Sequence, residues 1–280
     1  MNSNKVIDTH CHLNFKSFQD DFILVAKKAR ESGVEKIIIP GSDSQTSFQA
    51  LENAKAINLA LSSRPGLGVE PKPQKMWRDL PLFAYAAVGV HPIHTDRNGF
   101  ETIEKLAELP EVVAIGETGL DQFHNRDNIA EQLELLGKHV DLALKINKPV
   151  IFHNRESDAE FLTFLKSLQK LPRGVFHCFS SDHHFAKEII EMGFMISFTG
   201  NITWGNKKLK KVIERTPLER IMIETDSPYL VPEPFKSQGV ERNEPAYVLE
   251  VAKKIAQIKN IKLEEVCSQT TQNAIEFFGL

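Results

Sequence analysis

The stretch VIDTHCHLN, residues 6–14, decides how the chain is read. Its apolar, β-branched start over residues 6–9 predicts a short strand. The strand stops at His10 and His12. Side chains two apart on a strand share a face, so both imidazoles can grip one ion while Cys11 turns away. A His-x-His pair alone is a weak motif, because a histidine at a strand end is more often a satisfied polar residue. Its meaning depends on how the other strands end.

Further strands are predicted over residues 36–40, 83–90, 112–116, 149–152, 174–176, 194–198 and 221–224. Helical periodicity lies between and after them, over residues 21–31, 44–60, 128–146, 156–169, 184–191, 207–215, 245–257 and 263–278. Eight strands alternating with helices predict parallel βαβ units closed into one (β/α)8 TIM barrel over residues 1–280. A doubly wound open sheet is the structural alternative. Residues 62–81, rich in Pro and Gly, read as a long surface loop on the face away from the site.

The strand ends repeat the pattern of the first. VVAIGE runs into Glu117, KPVIFH into His153, GVFH into His177 and IMIETD into Asp226. Arg155 follows His153 on the same face, and His91 ends strand three in VGVHP. In a barrel such termini converge at the C-terminal mouth, where barrel enzymes place their chemistry. His10 and His12 are expected to grip one ion, with the carboxylates of Asp226 and Glu117 supplying negative charge. Glu117 has two oxygens and can bridge to a second ion held by His153 and His177. Imidazole nitrogen suits zinc, manganese or nickel. Two adjacent ions can activate water and flank a phosphorus or carbonyl centre. Taken singly, Glu117 is equally a helix cap, Asp226 an Asx-turn residue and Arg155 a partner for a nearby carboxylate. His94, His124, His139, His183 and His184 are read as surface or loop residues.

The chain has 280 residues, 41% hydrophobic and 25% charged, with net charge −3. That composition is globular and lacks the global basic footprint of many nucleic-acid binders. Lys207, Lys208, Lys210 and Lys211 offer a local basic cluster or the solvated face of a helix. Cys11, Cys178 and Cys267 are odd in number and far apart, so no disulfide framework is expected, and Cys11 and Cys178 are read as core. No apolar run approaches a membrane span and no signal core is present, which together predict a cytoplasmic protein.

The motifs DTHCHL, AIGETGLD, FHNRES, FHCFS, GNITW, IETDSPYL and RNEPAYV, in that order over nearly the whole chain, resemble the TatD family of metal-dependent deoxyribonucleases, part of the amidohydrolase superfamily. The resemblance implies a binuclear centre and 3′→5′ exonuclease hydrolysis of DNA, single-stranded or at 3′ ends, by a monomer or weak oligomer. By motif matching it puts His10, His12 and Asp226 on a first ion, Glu117 as the bridge and His153 and His177 on the second, and implies that magnesium also supports activity beside manganese or zinc. Asp226 is the expected base, with Glu117 next in line, while Arg155 and His91 contact substrate. Residues 239–242 read GVER where the family often carries Arg-Gly-Lys-Arg, leaving Arg242 as the basic contact, and Ser181 replaces a frequent Gly. The rival activity is ester or amide hydrolysis, such as deacylation of a D-aminoacyl-tRNA. A non-catalytic metal-binding protein is the third reading.

Overall fold

The computed structural model describes residues 4–62, 82–94 and 99–280. Eight strands form one sheet in chain order: β1 (Val6–Asp8), β2 (Val34–Pro40), β3 (Ala84–Val88), β4 (Val112–Asp121), β5 (Val150–Arg155), β6 (Gly174–Phe176), β7 (Met195–Phe198) and β8 (Ile221–Ile223). Each pairs in parallel with the next. Past the strand ends the ladder closes on itself. The Thr9 amide donates to the Ile223 carbonyl at 3.2 Å, the Asp226 amide to the His10 carbonyl at 2.8 Å, and Cys11 bridges Ser227. The architecture is the (β/α)8 barrel predicted from the alternation.

Helices α1 (Phe22–Glu31), α2 (Ser44–Ser62), α3 (Phe100–Ala107), α4 (Ile129–Ile146), α5 (Asp158–Ser167), α6 (His183–Glu191), α7 (Lys207–Arg215) and α8 (Val248–Lys259) wrap the sheet, followed by α9 (Leu263–Phe278). α3 was not predicted. It spans eight residues and buries only Ile103, Leu106 and Ala107, too few to register as a period. The connection 62–81 lies outside the described residues, save Ser62, which ends α2. Among the described residues no helix is long and apolar enough to cross a membrane.

The barrel interior is a packed layer, not a pore. Ile7, Ile38, Tyr85, Val113, Ile151, Val175, Met195 and Met222, one from each strand, form a single apolar cluster with Ala274 and Phe278 of α9. α9 is tied beneath the strands by side-chain bonds. Asn273 donates to the Leu218 and Ile221 carbonyls, and Thr271 to that of Lys5. It therefore caps the end where the strands begin.

The decisive local irregularity is in β4. Ile115 pairs with Val150 but Thr118 pairs with Phe152, so β4 carries one extra residue against β5. Such a bulge re-aims a side chain. The two glycines of GETGLD permit it. Gly116 sits at φ +142°, where a Cβ would meet the Ile151 carbonyl oxygen at 2.6 Å. A side chain on Gly119 would run into the His153 carbonyl oxygen. The strand then continues to Asp121, five residues past its predicted end at Gly116.

Candidate metal centre

Each expected ligand stands where a strand ends or bulges. His10 and His12 follow β1, with Nε2 atoms 3.1 Å apart. The His12 Nδ1–H donates to the Pro40 carbonyl at 3.3 Å, which leaves Nε2 as the lone-pair nitrogen facing the centre. Glu117 lies in the bulge and is almost fully buried. Its Oε1 is 2.7 Å from His177 Nε2, 2.9 Å from His153 Nδ1 and 3.2 Å from His91 Nε2. Its Oε2 lies 3.4 Å from His10 Nε2 and 3.7 Å from His12 Nε2. Asp226 Oδ1 is 3.5 Å from His12 Nε2 and 3.8 Å from His10 Nε2. One carboxylate thus separates two imidazole pairs, and a second carboxylate borders the first pair.

Burial and mutual contact displace the titrations. Burial alone raises a carboxyl, but the imidazoles of His177 and His91 and the hydrogen bonds from His10 and His153 hold Glu117 well below its usual range. Asp226 is also lowered, the contacts from His12 and His10 outweighing burial. Burial and the neighbouring His177 lower His10. Burial likewise brings His91 down to about 4. His153 and His177 are raised despite burial, because Asp121 and Glu117 favour the imidazolium of the first and Glu117 and Glu224 that of the second.

Three acids missed from sequence hold the ligands in place. Asp121 Oδ2 lies 3.0 Å from His153 Nε2 and 2.8 Å from His124 Nδ1. A carboxylate on one ring nitrogen orients the other toward the centre. The GLD of GETGLD carried this signal, hidden by reading the strand as finished at Gly116. Glu224 accepts from the Cys178 amide at 2.6 Å and the Ser197 hydroxyl at 2.7 Å, and lies 3.6 Å from His177 Nδ1. Asp8 accepts from the Thr225 hydroxyl at 2.6 Å and its amide at 2.9 Å, locking β1 to β8. Burial pushes that carboxyl up to about 8.

The remaining candidates divide. His91 is brought into the centre. Arg155 stacks its guanidinium 3.8 Å above the Phe123 ring and donates no side-chain hydrogen bond among the described residues. Arg242 pairs with Asp21 at 2.7 Å and Glu244 at 3.0 Å and lies over Phe18, so its charge is engaged by neighbours. The four lysines lie exposed on α7, Lys210 paired with Glu214 at 3.6 Å. Two expectations are corrected. His139 is not a surface residue: it is fully buried, donates from Nδ1 to the Leu135 carbonyl at 2.8 Å and accepts the Val90 amide at Nε2 at 3.0 Å. Cys11 is core, but Cys178 is partly exposed, because β6 ends at Phe176 and the chain turns at Cys178 with φ +44°.

The donor set fits divalent cations. Nitrogen and carboxylate atoms in the sets His10–His12–Glu117, His10–His177–Asp226, Glu117–His153–His177 and His91–Asp121–His153 lie within 4.8 Å of one another. Two imidazole nitrogens at 3.1 Å repel unless a proton or a cation lies between them. A parallel barrel with such a cluster at its C-terminal mouth has the architecture of a metal-dependent hydrolase.

The sequence places it more narrowly. Residues 7–279 match the model of the TatD-related DNases. The metal-dependent hydrolase YabD of Bacillus subtilis, itself described as uncharacterized, is 34% identical over 98% of this chain and 99% of its own. The 3′-5′ ssDNA/RNA exonuclease TatD of Erwinia amylovora is 30% identical over 98% of this chain and all of its own. The crystal structure of the TatD homologue YJJV from Escherichia coli superposes with TM-score 0.82 at 27% identity, covering both chains fully. The chain belongs to the TatD family.

Proposed function

We propose that the protein is a two-metal phosphodiesterase that removes nucleotides from the 3′ end of DNA. The observation that carries this reading is the placement of Glu117, with Oε1 toward His153 and His177 and Oε2 toward His10 and His12. A carboxylate so placed is suited to bridging two ions, one held by His10, His12 and Asp226, the other by His153 and His177. Manganese or zinc suits this imidazole-rich set better than magnesium, which prefers oxygen ligands. Divalent ions bound there would acidify a water and offset charge on the phosphoryl oxygens.

The chain's own groups do the rest. Asp226 turns Oδ1 to the histidine pair and takes the proton of the attacking water at Oδ2. Asp121 holds the Nε2–H of His153, so Nδ1 faces inward. Arg155, its guanidinium over the Phe123 ring, is the group that would donate to a phosphate oxygen, and His91 lines the wall beside Glu117. The nuclease named among the relatives supports phosphodiester as the bond cleaved.

Purified protein with added manganese, given single-stranded DNA and aminoacyl-tRNA side by side, tests the reading. Stepwise release of nucleotides from DNA is expected, abolished by chelation. Turnover of the aminoacyl ester alone would overturn it.

A further inference from the structure

Among the described residues, four Phe, Tyr or Trp side chains are strongly exposed: Phe48, Phe123, Trp204 and Tyr229. Three of them leave the C-terminal ends of strands, Phe123 after β4, Trp204 after β7 and Tyr229 after β8. Among the described residues, the exposed aromatic rings lie mostly on the face that carries the candidate metal-binding cluster.

These rings are positioned. Phe15 lies flat on His12, with centroids 4.2 Å apart and planes at 13°. Tyr229 meets Phe15 edge-on at 6.4 Å and is 56% exposed. It lies three residues beyond Asp226, and its phenol is raised by burial and by that carboxylate. On the other side of the cluster, Phe123 is two residues beyond Asp121 and carries the Arg155 guanidinium. Trp204 carries Lys236 Nζ 3.5 Å above its ring and is fixed by an indole N–H bond to the Val231 carbonyl at 3.0 Å.

An exposed ring beside a cation matches a nucleotide, which presents a flat base and a charged phosphate. A neutral sugar or an apolar peptide would use the rings but not the cations. We propose that Phe15–Tyr229 and Phe123–Arg155 are base-stacking stations on either side of the metal cluster, with Trp204–Lys236 a third along the rim, gripping single-stranded nucleic acid. Bases in a duplex are already stacked on one another, so the stations select unpaired strands. The inference rests on the nuclease reading and adds how its substrate is held.

The test is fluorescence anisotropy with a labelled phosphorothioate oligothymidylate, which resists hydrolysis, and an abasic oligomer of equal length, both with the manganese-loaded protein. Tyr229→Ala and Phe123→Ala should each weaken binding of the oligothymidylate about 5- to 150-fold. Both should bind the abasic strand as the wild type does. Tyr229→Phe keeps the ring and should bind like wild type, which separates stacking from misfolding. Wild-type affinity for oligothymidylate in both alanine variants would overturn the stations while leaving nuclease turnover intact. A wild-type protein that neither binds nor hydrolyses nucleic acid would overturn the nuclease reading and the stations together.

Discussion

Where the eight strands begin, α9 lays Ala274 and Phe278 against an apolar layer drawn from every strand. Where they finish, four imidazoles and the carboxylates of Glu117 and Asp226 crowd together, with His10, Glu117 and Asp226 lowered and His153 and His177 raised. The comparison teaches how one barrel separates holding from reacting. The sealed end gains from burying carbon, and its buried Asn273 and Thr271 are paired with the Leu218, Ile221 and Lys5 carbonyls. The open end buries ionisable groups, and several are held by partners: Pro40 holds His12, Asp121 holds His153 and Thr225 holds Asp8, with Glu224 beside His177, while the Nδ1 atoms of His10 and His177 have no hydrogen-bond partner among the described residues.

If that division is real, substitutions at the two ends should fail differently. Asp226→Asn removes charge and basicity from the open end without changing size. Its turnover at saturating metal should fall by about 10² to 10⁴. Its thermal stability should stay close to wild type. Steady-state kinetics beside a melting curve would check both, and a wild-type rate would make Asp226 a turn residue.

Phe278→Ala should do the reverse. Deleting a buried Phe typically costs about 3 to 5 kcal/mol, read from urea unfolding. Metal affinity of the still-folded protein should be unchanged. A weakened metal site in that variant would break the comparison, since the two ends would then be coupled.

His139 sharpens it, because it supports the open end by structure alone. Burial lowers its folded pKa to about 4, below the ordinary 6.5. As pH falls, the unfolded chain takes up the proton first. The stability from a neutral His139 is therefore full above pH 6.5 and drains between 6.5 and 4, by roughly 3 kcal/mol at most. His139→Gln can keep both hydrogen bonds without titrating. Its melting temperature should fall less steeply over that interval than the wild type's, and parallel profiles would contradict the assignment.

The open end was largely legible in the sequence for a physical reason. A candidate ligand declares itself as an apolar run stopped by His, Glu or Asp, near the C-terminal ends of β1, β5, β6 and β8 and at the bulge of β4. Asp121 was not legible, because Gly116 and Gly119 look like a stop and are instead the room for a bulge. Glu224 and Asp8 were hidden because their roles depend on partners from other strands. His139 could have been read. It lies four residues from Leu135 and Ala143, on the buried stripe of α4. α3 could not, since three buried residues in eight make no period.

The central claim is that Glu117 joins two ions, and the number of ions held per chain tests it most directly. Wild type and Glu117→Gln would be saturated with manganese, freed of unbound ion and assayed by elemental analysis. The expected result is two ions per chain in the wild type and loss of both in the variant, because the shared carboxylate serves each site. A wild type that holds a single ion, or a Glu117→Gln protein that keeps two, would contradict it.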